Sequence, residues 1–191
     1  VRLTLNWARS WPGLVHEDWR YAMLREKSKS LYPLVNLGGI HLLPTLLVFL
    51  AMLPIYFVLS RVGEYNPILD GIAFAVGLVA VAIELIADEQ LKSFVKTNKD
   101  SALFLKTGLW RFSRHPNYFG NILLWFGIFI FCYTYGVPLW TIMGPLWTAF
   151  LLLFVSGIPF LEASADKKYG EDAEYLKYKA ETAILIPGFK L

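Results

Sequence analysis

Charged residues are scarce in this chain, and cysteine is almost absent. Only 17% of the 191 residues are charged, whereas 56% are hydrophobic and 16% are aromatic. A soluble domain is about half apolar and about a quarter charged, so this balance indicates a membrane protein. The single cysteine, Cys132, lies in an apolar run. This excludes a disulfide framework and a cysteine metal cluster, and we expect no metal site.

The start of the given sequence shows no pattern of a cleavable signal sequence, and its first residue is not a methionine. Arg2, Arg9 and several tryptophans interrupt the stretch where a signal sequence would need an unbroken apolar core. Because the chain begins at Val1, we expect residues 1–191 to be a single membrane domain, the C-terminal part of a longer protein with further helices upstream.

Four long apolar segments dominate the rest of the sequence. They cover residues 34–60, 68–87, 119–135 and 139–161. A helix needs about 20 apolar residues to cross the hydrocarbon core, and bundled helices tolerate proline kinks. We therefore predict an all-α polytopic membrane bundle with four transmembrane helices. Residues 1–34, where tryptophan occurs among arginine and lysine, are predicted to form an interfacial helix, and residues 162–191 a polar tail.

The distribution of Lys and Arg orients these helices. Residues 1–34 carry six, 89–118 carry six and 162–191 carry five, whereas 61–67 carry one and 136–138 carry none. Four spans place the three rich segments on one side, which the positive-inside rule makes cytoplasmic. We predict an integral protein of a bacterial inner membrane or an endoplasmic-reticulum-type membrane, with membrane lipids but no nucleic acid among its partners.

One loop between two spans is rich in polar side chains: GLWRFSRHPNYFGN, residues 108–121. Arg111 and Arg114 offer forked donors for phosphate or carboxylate, and His115 adds a hydrogen-bond donor or acceptor. Pro116 fits the first turn of a helix, so free backbone N–H groups would face an anion in this loop. The alternative is that these cations meet anionic lipid headgroups.

Further polar residues are expected near the same loop. Asn117 and Asn121 are four residues apart, so they line one face of the third span. Glu84 and Asp88 share a face of the second span, and an ionisable residue in a span is a functional candidate because burying it unpaired is costly. The tail can add Lys167, Lys168, Tyr169, Tyr175 and Tyr178. Such walls suit a large ligand with phosphates and a planar ring.

The 108–121 stretch resembles the signature of the steroid 5-alpha-reductase-like membrane proteins, in the bacterial-type branch called DUF1295. Shorter matches extend the resemblance over nearly the whole chain: Arg2 with Leu3, NWAR at 6–9, EDWRY at 17–21, Ala87 and Asp88 with Gln90, GIP at 157–159, KYG at 168–170 and LIP at 185–187. Sterol reductases and isoprenylcysteine carboxyl methyltransferases share the RHPxY core.

The resemblance implies an oxidoreductase that uses NADPH to reduce a carbon–carbon double bond conjugated to a carbonyl in a lipophilic, steroid- or isoprenoid-like substrate. Matched position by position, the cofactor would contact Asp88, Arg114, His115, Asn117, Tyr118, Asn121, Tyr169 and Tyr178. Arg111 and Lys168 are further candidate cofactor-binding residues because of their positive charge. Glu84 would serve the substrate or the structure. The nicotinamide carries the chemistry, and the protein orients it.

Two departures from the family leave other hypotheses open. The family usually has an acidic residue where this chain has Asn121, so on the reductase hypothesis Asn121→Glu is expected to tighten NADPH binding. The catalytic acid of the steroid reductases would lie before Val1. A first alternative is an S-adenosylmethionine-dependent methyltransferase, for which only Glu162 of the expected residues is present. A second is a non-catalytic membrane scaffold.

Overall fold

The computed structural model describes residues 4, 8, 11, 13, 19–60, 66–98, 103–155 and 157–188. Most of the sequence matches at 2–9 and 17–21 lie outside these residues, as does most of the predicted turn at 61–67. The predicted interfacial segment 1–34 is described mainly from residue 19 onward.

Helix dominates the described residues, which form no named strand. The helices are α1 (Trp19–Ser28), α2 (Tyr32–Leu34), α3 (Leu43–Leu59), α4 (Pro67–Thr97), α5 (Pro116–Thr134), α6 (Met143–Phe150), α7 (Ile158–Tyr169) and α8 (Ala173–Glu181). Lys29–Leu31, Gly108–Arg111 and Leu139–Ile142 are 3-10 turns, whereas Val35–Leu42 and Leu151–Val155 are π-helical.

Among the described residues, four helical stretches are long and apolar enough to cross a membrane. They are Tyr21–Leu59, Pro67–Thr97, Pro116–Thr134 and Leu139–Tyr169. Large apolar side chains such as Phe74 and Leu78 stay exposed along them, which costs nothing where lipid tails are the solvent. These stretches overlap the four predicted spans, so the predicted all-α polytopic membrane fold is confirmed.

The helices run beyond the predicted ends of the spans. The second span was expected to end at residue 87, but α4 begins at Pro67, where Asn66 caps it by accepting the Leu69 N–H (3.1 Å), and continues to Thr97. A charged residue marks where a helix leaves the hydrocarbon rather than where it ends, because Glu, Gln and Lys are good helix formers. The polar extension of α4 carries Gln90 and Leu91 toward the 108–121 loop.

Val1–Phe49 forms one compact unit. Within its described part, the Arg25 guanidinium lies 5.1 Å from the centre of the Tyr32 ring. Thr45 Oγ1 donates to the His41 carbonyl oxygen (2.7 Å), one turn back along the helix. The helix of the first span starts at Tyr21, so it begins inside the segment that was predicted to lie at the interface.

In the other unit, Leu50–Leu191, α4 and α5 pack closely along a seam of small residues. A Cβ on Gly120 would lie 2.8 Å from the Ala80 carbonyl oxygen and 3.0 Å from the Glu84 backbone nitrogen. A Cβ on Gly127 would lie 3.3 Å from the Gly77 nitrogen. Small residues let helices approach closely in lipid, so the seam fixes α5, and the loop before it, against α4.

The fourth span changes its helical geometry before it reaches its polar end. The π-helical Leu151–Val155 is followed by Gly157, and α7 then starts with Pro159 in its first turn. π-Helical segments are rare and frequently occur at functional sites. Beyond this break, Ile158 packs with Ile122 of α5 and Leu185 of the tail in a buried apolar cluster. That cluster holds α7 and the tail against the start of α5.

Candidate functional site

The 108–121 loop is held against the polar extension of α4. Gly108 has a φ of +63°, a conformation that favours glycine, and a Cβ there would overlap the Gln90 side chain. Gln90 Oε1 accepts the Leu109 N–H (2.9 Å). Trp110 Nε1 donates to the carbonyl oxygen of Ala87 (3.2 Å). The first turn of the loop is therefore fixed by one turn of α4.

The tail holds the other half of the loop. Ser113 Oγ donates to the Leu185 carbonyl oxygen (2.7 Å), and the Arg114 N–H donates to the Ala183 carbonyl oxygen (2.9 Å). Ser113 and Ala183 also form an isolated parallel bridge, and both are buried. We call residues 182–185 the tail strap. It completes the backbone hydrogen bonding of a loop that α4 supports only at its start.

A cavity of about 290 Å³ opens between α4, the loop, α7 and α8. Its aromatic lining consists of Phe104, Trp110, Tyr169, Tyr175 and Tyr178, and its polar lining of Arg114, His115, Asn117 and Glu162. Leu91, Leu105, Leu161 and Ala165 complete it. The Phe104 ring centre lies 5.4–5.7 Å from those of the three tyrosines. Such a wall suits a planar ring.

Glu162 is the centre of the polar lining. Its Oε1 lies 2.8 Å from His115 Nε2, and its Oε2 accepts a hydrogen bond from Arg114 Nη1. Lys179 Nζ lies 3.7 Å from the same Oε2. The His115 ring stacks on Tyr118, with centres 5.8 Å apart. One carboxylate therefore orients the two side chains of the RHP motif that were predicted to bind the cofactor.

Arg114 keeps one donor that this cluster does not satisfy. Among the described residues, its Nε is buried and has no hydrogen-bond partner. An unsatisfied buried donor costs about 1–3 kcal/mol. The guanidinium thus has capacity for a further acceptor, such as an oxygen of an anionic ligand, if its side chain shifts to present that edge.

The tyrosines of α8 lie between the cavity and an outer ion pair. Tyr175 OH donates to Asp166 Oδ1 (3.0 Å), and Lys179 Nζ pairs with the same carboxylate. Burial, followed by the hydrogen bond to Asp166, raises the pKa of Tyr175 well above its usual range. Burial also raises the pKa of Tyr178 to about 12, and its OH donates to the Trp110 carbonyl oxygen (2.6 Å). Both phenols are therefore protonated donors at neutral pH.

The structure brings half of the predicted site residues to the cavity. Arg114, His115, Asn117, Tyr169 and Tyr178 line it. The other five predicted cofactor-binding residues do not line the cavity.

Tyr118 lies behind His115, and Lys168 lies over the Tyr169 ring (4.7 Å). Arg111 lines a separate hollow, described below. Asp88 is not among the cavity-lining residues, although the neighbouring Ala87 holds Trp110. Within the 108–121 motif, Arg114, His115 and Asn117 line the cavity, whereas Arg111 and Tyr118 do not.

The buried Glu84 and the partly buried Asn121 form a polar pair below the cavity. Asn121 Nδ2 donates to Glu84 Oε1 (3.3 Å), and Glu84 is only 5% exposed. Along α4, Glu84 lies two turns before Leu91, and along α5, Asn121 lies one turn after Asn117. Both Leu91 and Asn117 line the cavity, so the pair lies deeper in the span on the same helical faces.

Sequence reasoning missed the central role of Glu162. It considered this residue only for the methyltransferase alternative, although a lone acid at the end of the last span faces a loop with two arginines. That charge complementarity was a usable signal. No such signal marks Phe104 and Leu91, because an apolar residue near a membrane surface has many possible partners.

A family model described as "Protein of unknown function (DUF1295)" matches residues 1–182. The chain belongs to this family. The predicted DUF1295 membership is therefore confirmed. An uncharacterized protein of Schizosaccharomyces pombe is 27% identical to the DUF1295 chain over 192 aligned residues, which cover 88% of the chain and 55% of the relative. The chain thus spans about half the length of the curated relative it matches. No solved structure matches it.

Proposed function

We propose that this DUF1295 chain is the cofactor-binding part of a membrane oxidoreductase that uses NADPH to reduce a carbon–carbon double bond conjugated to a carbonyl. The observation that carries the proposal is one cavity that joins an aromatic wall to the cluster of Arg114, His115 and Glu162. The cavity lies where the apolar helices become polar, so a lipophilic substrate could approach from the membrane while a nucleotide approaches from water.

The residues present fit a dinucleotide. The aromatic wall offers stacking surfaces for a base or a nicotinamide, and Glu162 can accept hydrogen bonds from ribose hydroxyls. Arg114 can bind a further oxygen of the ligand, since one of its donors is unsatisfied among the described residues. Bound NADPH would supply the hydride to the substrate, and the protein would hold both molecules in register.

The pair of Glu84 and Asn121 supports placing the reactive end deeper than the cavity. A carboxylate and an amide at hydrogen-bonding distance present both an acceptor and a donor, which is the pattern that a carboxamide needs. The seam at Gly120 fixes their backbones. A polar pair held this firmly inside an apolar span can orient a ligand at little further cost in entropy.

Titration of the chain in lipid nanodiscs with NADPH tests the proposal. We expect saturable binding, and Arg114→Gln should weaken it about tenfold or more, because a charge-assisted hydrogen bond is lost. Lys167→Gln is the matched control: it removes one positive charge from α7 at a position outside the cavity. Equal affinity in the parent chain and Arg114→Gln would remove Arg114 from the site. No NADPH binding by the parent chain would overturn the proposal.

A second candidate is an S-adenosylmethionine-dependent methyltransferase. The specific observation in its favour is the Glu162 carboxylate in an aromatic cavity, since carboxylates and aromatic faces both attract a sulfonium or ammonium cation. The same titration with S-adenosylmethionine separates the two candidates. Binding of S-adenosylmethionine without NADPH binding would select the methyltransferase, and binding of neither ligand would favour a membrane scaffold.

A further inference from the structure

A second hollow, of about 330 Å³, lies beside the aromatic cavity. The two spaces share Tyr178, and neighbouring residues of the 105–111 segment line one space or the other. Leu105 and Trp110 line the aromatic cavity, whereas Lys106 and Arg111 line the second hollow. Residues 105–111 and Tyr178 therefore form a wall between two adjoining spaces of different chemistry.

The charged lining of the second hollow contains three cations and two carboxylates. The cations are Lys106, Arg111 and Lys177, and the carboxylates are Glu174 and Glu181. The hollow thus has an excess of positive charge, whereas the aromatic cavity pairs Arg114 with Glu162. An anionic ligand group is favoured in the second hollow.

The size of the aromatic cavity also requires a second space. At about 290 Å³, it lies at the lower limit of pockets for drug-sized ligands, which is about 300–1,000 Å³. A dinucleotide with a pyrophosphate and a further phosphate is larger than such a ligand. Its phosphates are also poorly suited to an aromatic wall, because an unpaired buried anion is costly.

We propose that the second hollow is the phosphate-binding half of the cofactor site, with Lys106, Arg111 and Lys177 as its cations. This inference rests on the proposed function and deepens it. The ring of the ligand occupies the aromatic cavity, the chain crosses the wall near Tyr178, and the phosphates lie between the 105–111 segment and α8.

Two cations of the second hollow have contacts with other side chains that an anionic ligand can replace. Lys106 Nζ pairs with Glu174, and their side chains are 39% and 66% exposed. The Arg111 guanidinium lies 5.7 Å from the Phe112 ring centre. A phosphate entering the hollow competes with Glu174 for Lys106. An exposed ion pair of this kind contributes little to stability, so either partner can be replaced without unfolding the chain.

The competition gives a test with effects of opposite sign. NADPH affinity is measured for the full chain in nanodiscs of zwitterionic lipid at low ionic strength. We expect Lys106→Gln and Lys177→Gln to weaken binding about fivefold each, and Glu174→Gln to tighten it about threefold, because charge near a bound anion changes its affinity directly. All three effects should fade in high salt, and Lys167→Gln should have none.

The alternatives give different results. If Arg114→Gln weakens NADPH binding but the Lys106, Lys177 and Glu174 variants do not change it, the phosphates bind elsewhere; the inference is then wrong and the proposed function stands. If the parent chain binds no NADPH, both are overturned. In vesicles containing phosphatidylglycerol, variants that lose anionic-lipid binding but keep their NADPH affinity would show that the hollow takes a lipid headgroup instead, which also overturns the inference.

Discussion

The α4–α5 pair has a carboxylate at each end, and the two ends are built differently. At one end, Asp70 accepts hydrogen bonds from Thr134 Oγ1 (2.9 Å) and Tyr135 OH (3.1 Å). At the other end, Glu162 of α7 contacts Arg114, His115 and Lys179 beside the aromatic cavity. Both carboxylates join helices, and Glu162 also lines the aromatic cavity.

The hydrogen-bond and ion-pair partners of Asp70 and Glu162 explain why we expect the two carboxylates to have different roles. Each Asp70 oxygen accepts a bond from a neutral hydroxyl next to the tight turn at Gly136, and these bonds close that end of the helix pair. The cations around Glu162 can instead be shared with an incoming anion. The contacts of Asp70 make the first end a structural clamp, whereas on the proposed function the second end is a binding site whose cations an anionic ligand can share.

The largest effect is expected at the buried pair that lies between the two ends. Asn121→Glu would place a second carboxylate at hydrogen-bonding distance from Glu84, and an unpaired buried charge costs about 3–5 kcal/mol. We therefore expect a large drop in melting temperature and weaker NADPH binding. This reverses the expectation from the family pattern alone, which had Asn121→Glu tighten binding.

An exchange variant sharpens this prediction. Glu84→Gln combined with Asn121→Glu keeps one carboxylate and one amide in contact, so it should recover most of the stability lost in Asn121→Glu. Asn121→Gln, which keeps the amide, is the matched control. If the double variant melts no higher than Asn121→Glu, the contact between positions 84 and 121 does not determine the effect.

A smaller effect is expected from neutralising the carboxylates at the two ends. Glu162→Gln leaves Arg114 and His115 without their common carboxylate, which should cost about 1.5–3 kcal/mol, the range for hydrogen bonds to charged groups, and weaken NADPH binding. Asp70→Asn keeps an acceptor for one hydroxyl, so the cost should be about 1 kcal/mol, with NADPH affinity unchanged. Thermal unfolding and NADPH titration of both variants make the comparison. A loss of affinity in Asp70→Asn would contradict its role as a clamp.

The smallest effect is expected for the stability of the fold at alkaline pH. Because burial raises the pKa of Tyr178 to about 12, its neutral form stabilises the fold fully below pH 10, and this contribution is lost as the pH rises through 12. Melting temperatures between pH 8 and pH 12 should fall less steeply in Tyr178→Phe than in the parent chain. Tyr21→Phe, at an exposed position, should follow the parent curve.

The fold was predictable because the physics that decides it is local. Four runs of about 20 apolar residues require four spanning helices, and the polar loop at 108–121 stands out against them. The helix ends were less predictable. Residues such as Glu89 and Lys92 are compatible both with a loop and with a helix that continues into water, and only the packing against Leu109 and Trp110 decides between them.

Only the part of the site that lies in one motif was predictable from the sequence. The RHPN sequence, which leads into α5, predicted Arg114, His115 and Asn117. Glu162 and Phe104 come from segments distant in sequence, and their meeting depends on the break at Gly157 and on the tail strap. The contact between Glu84 and Asn121 depends on the close approach at Gly120, which no helical pattern reveals.

The tail strap also bears on the order of events during biosynthesis. Ser113 and Arg114 find their partners at Leu185 and Ala183, which leave the ribosome after every spanning helix of this chain. The four helices can therefore insert before the loop has its final shape, and the aromatic cavity forms after them. On the proposed function, a nucleotide would bind only chains in which these four helices are already in place.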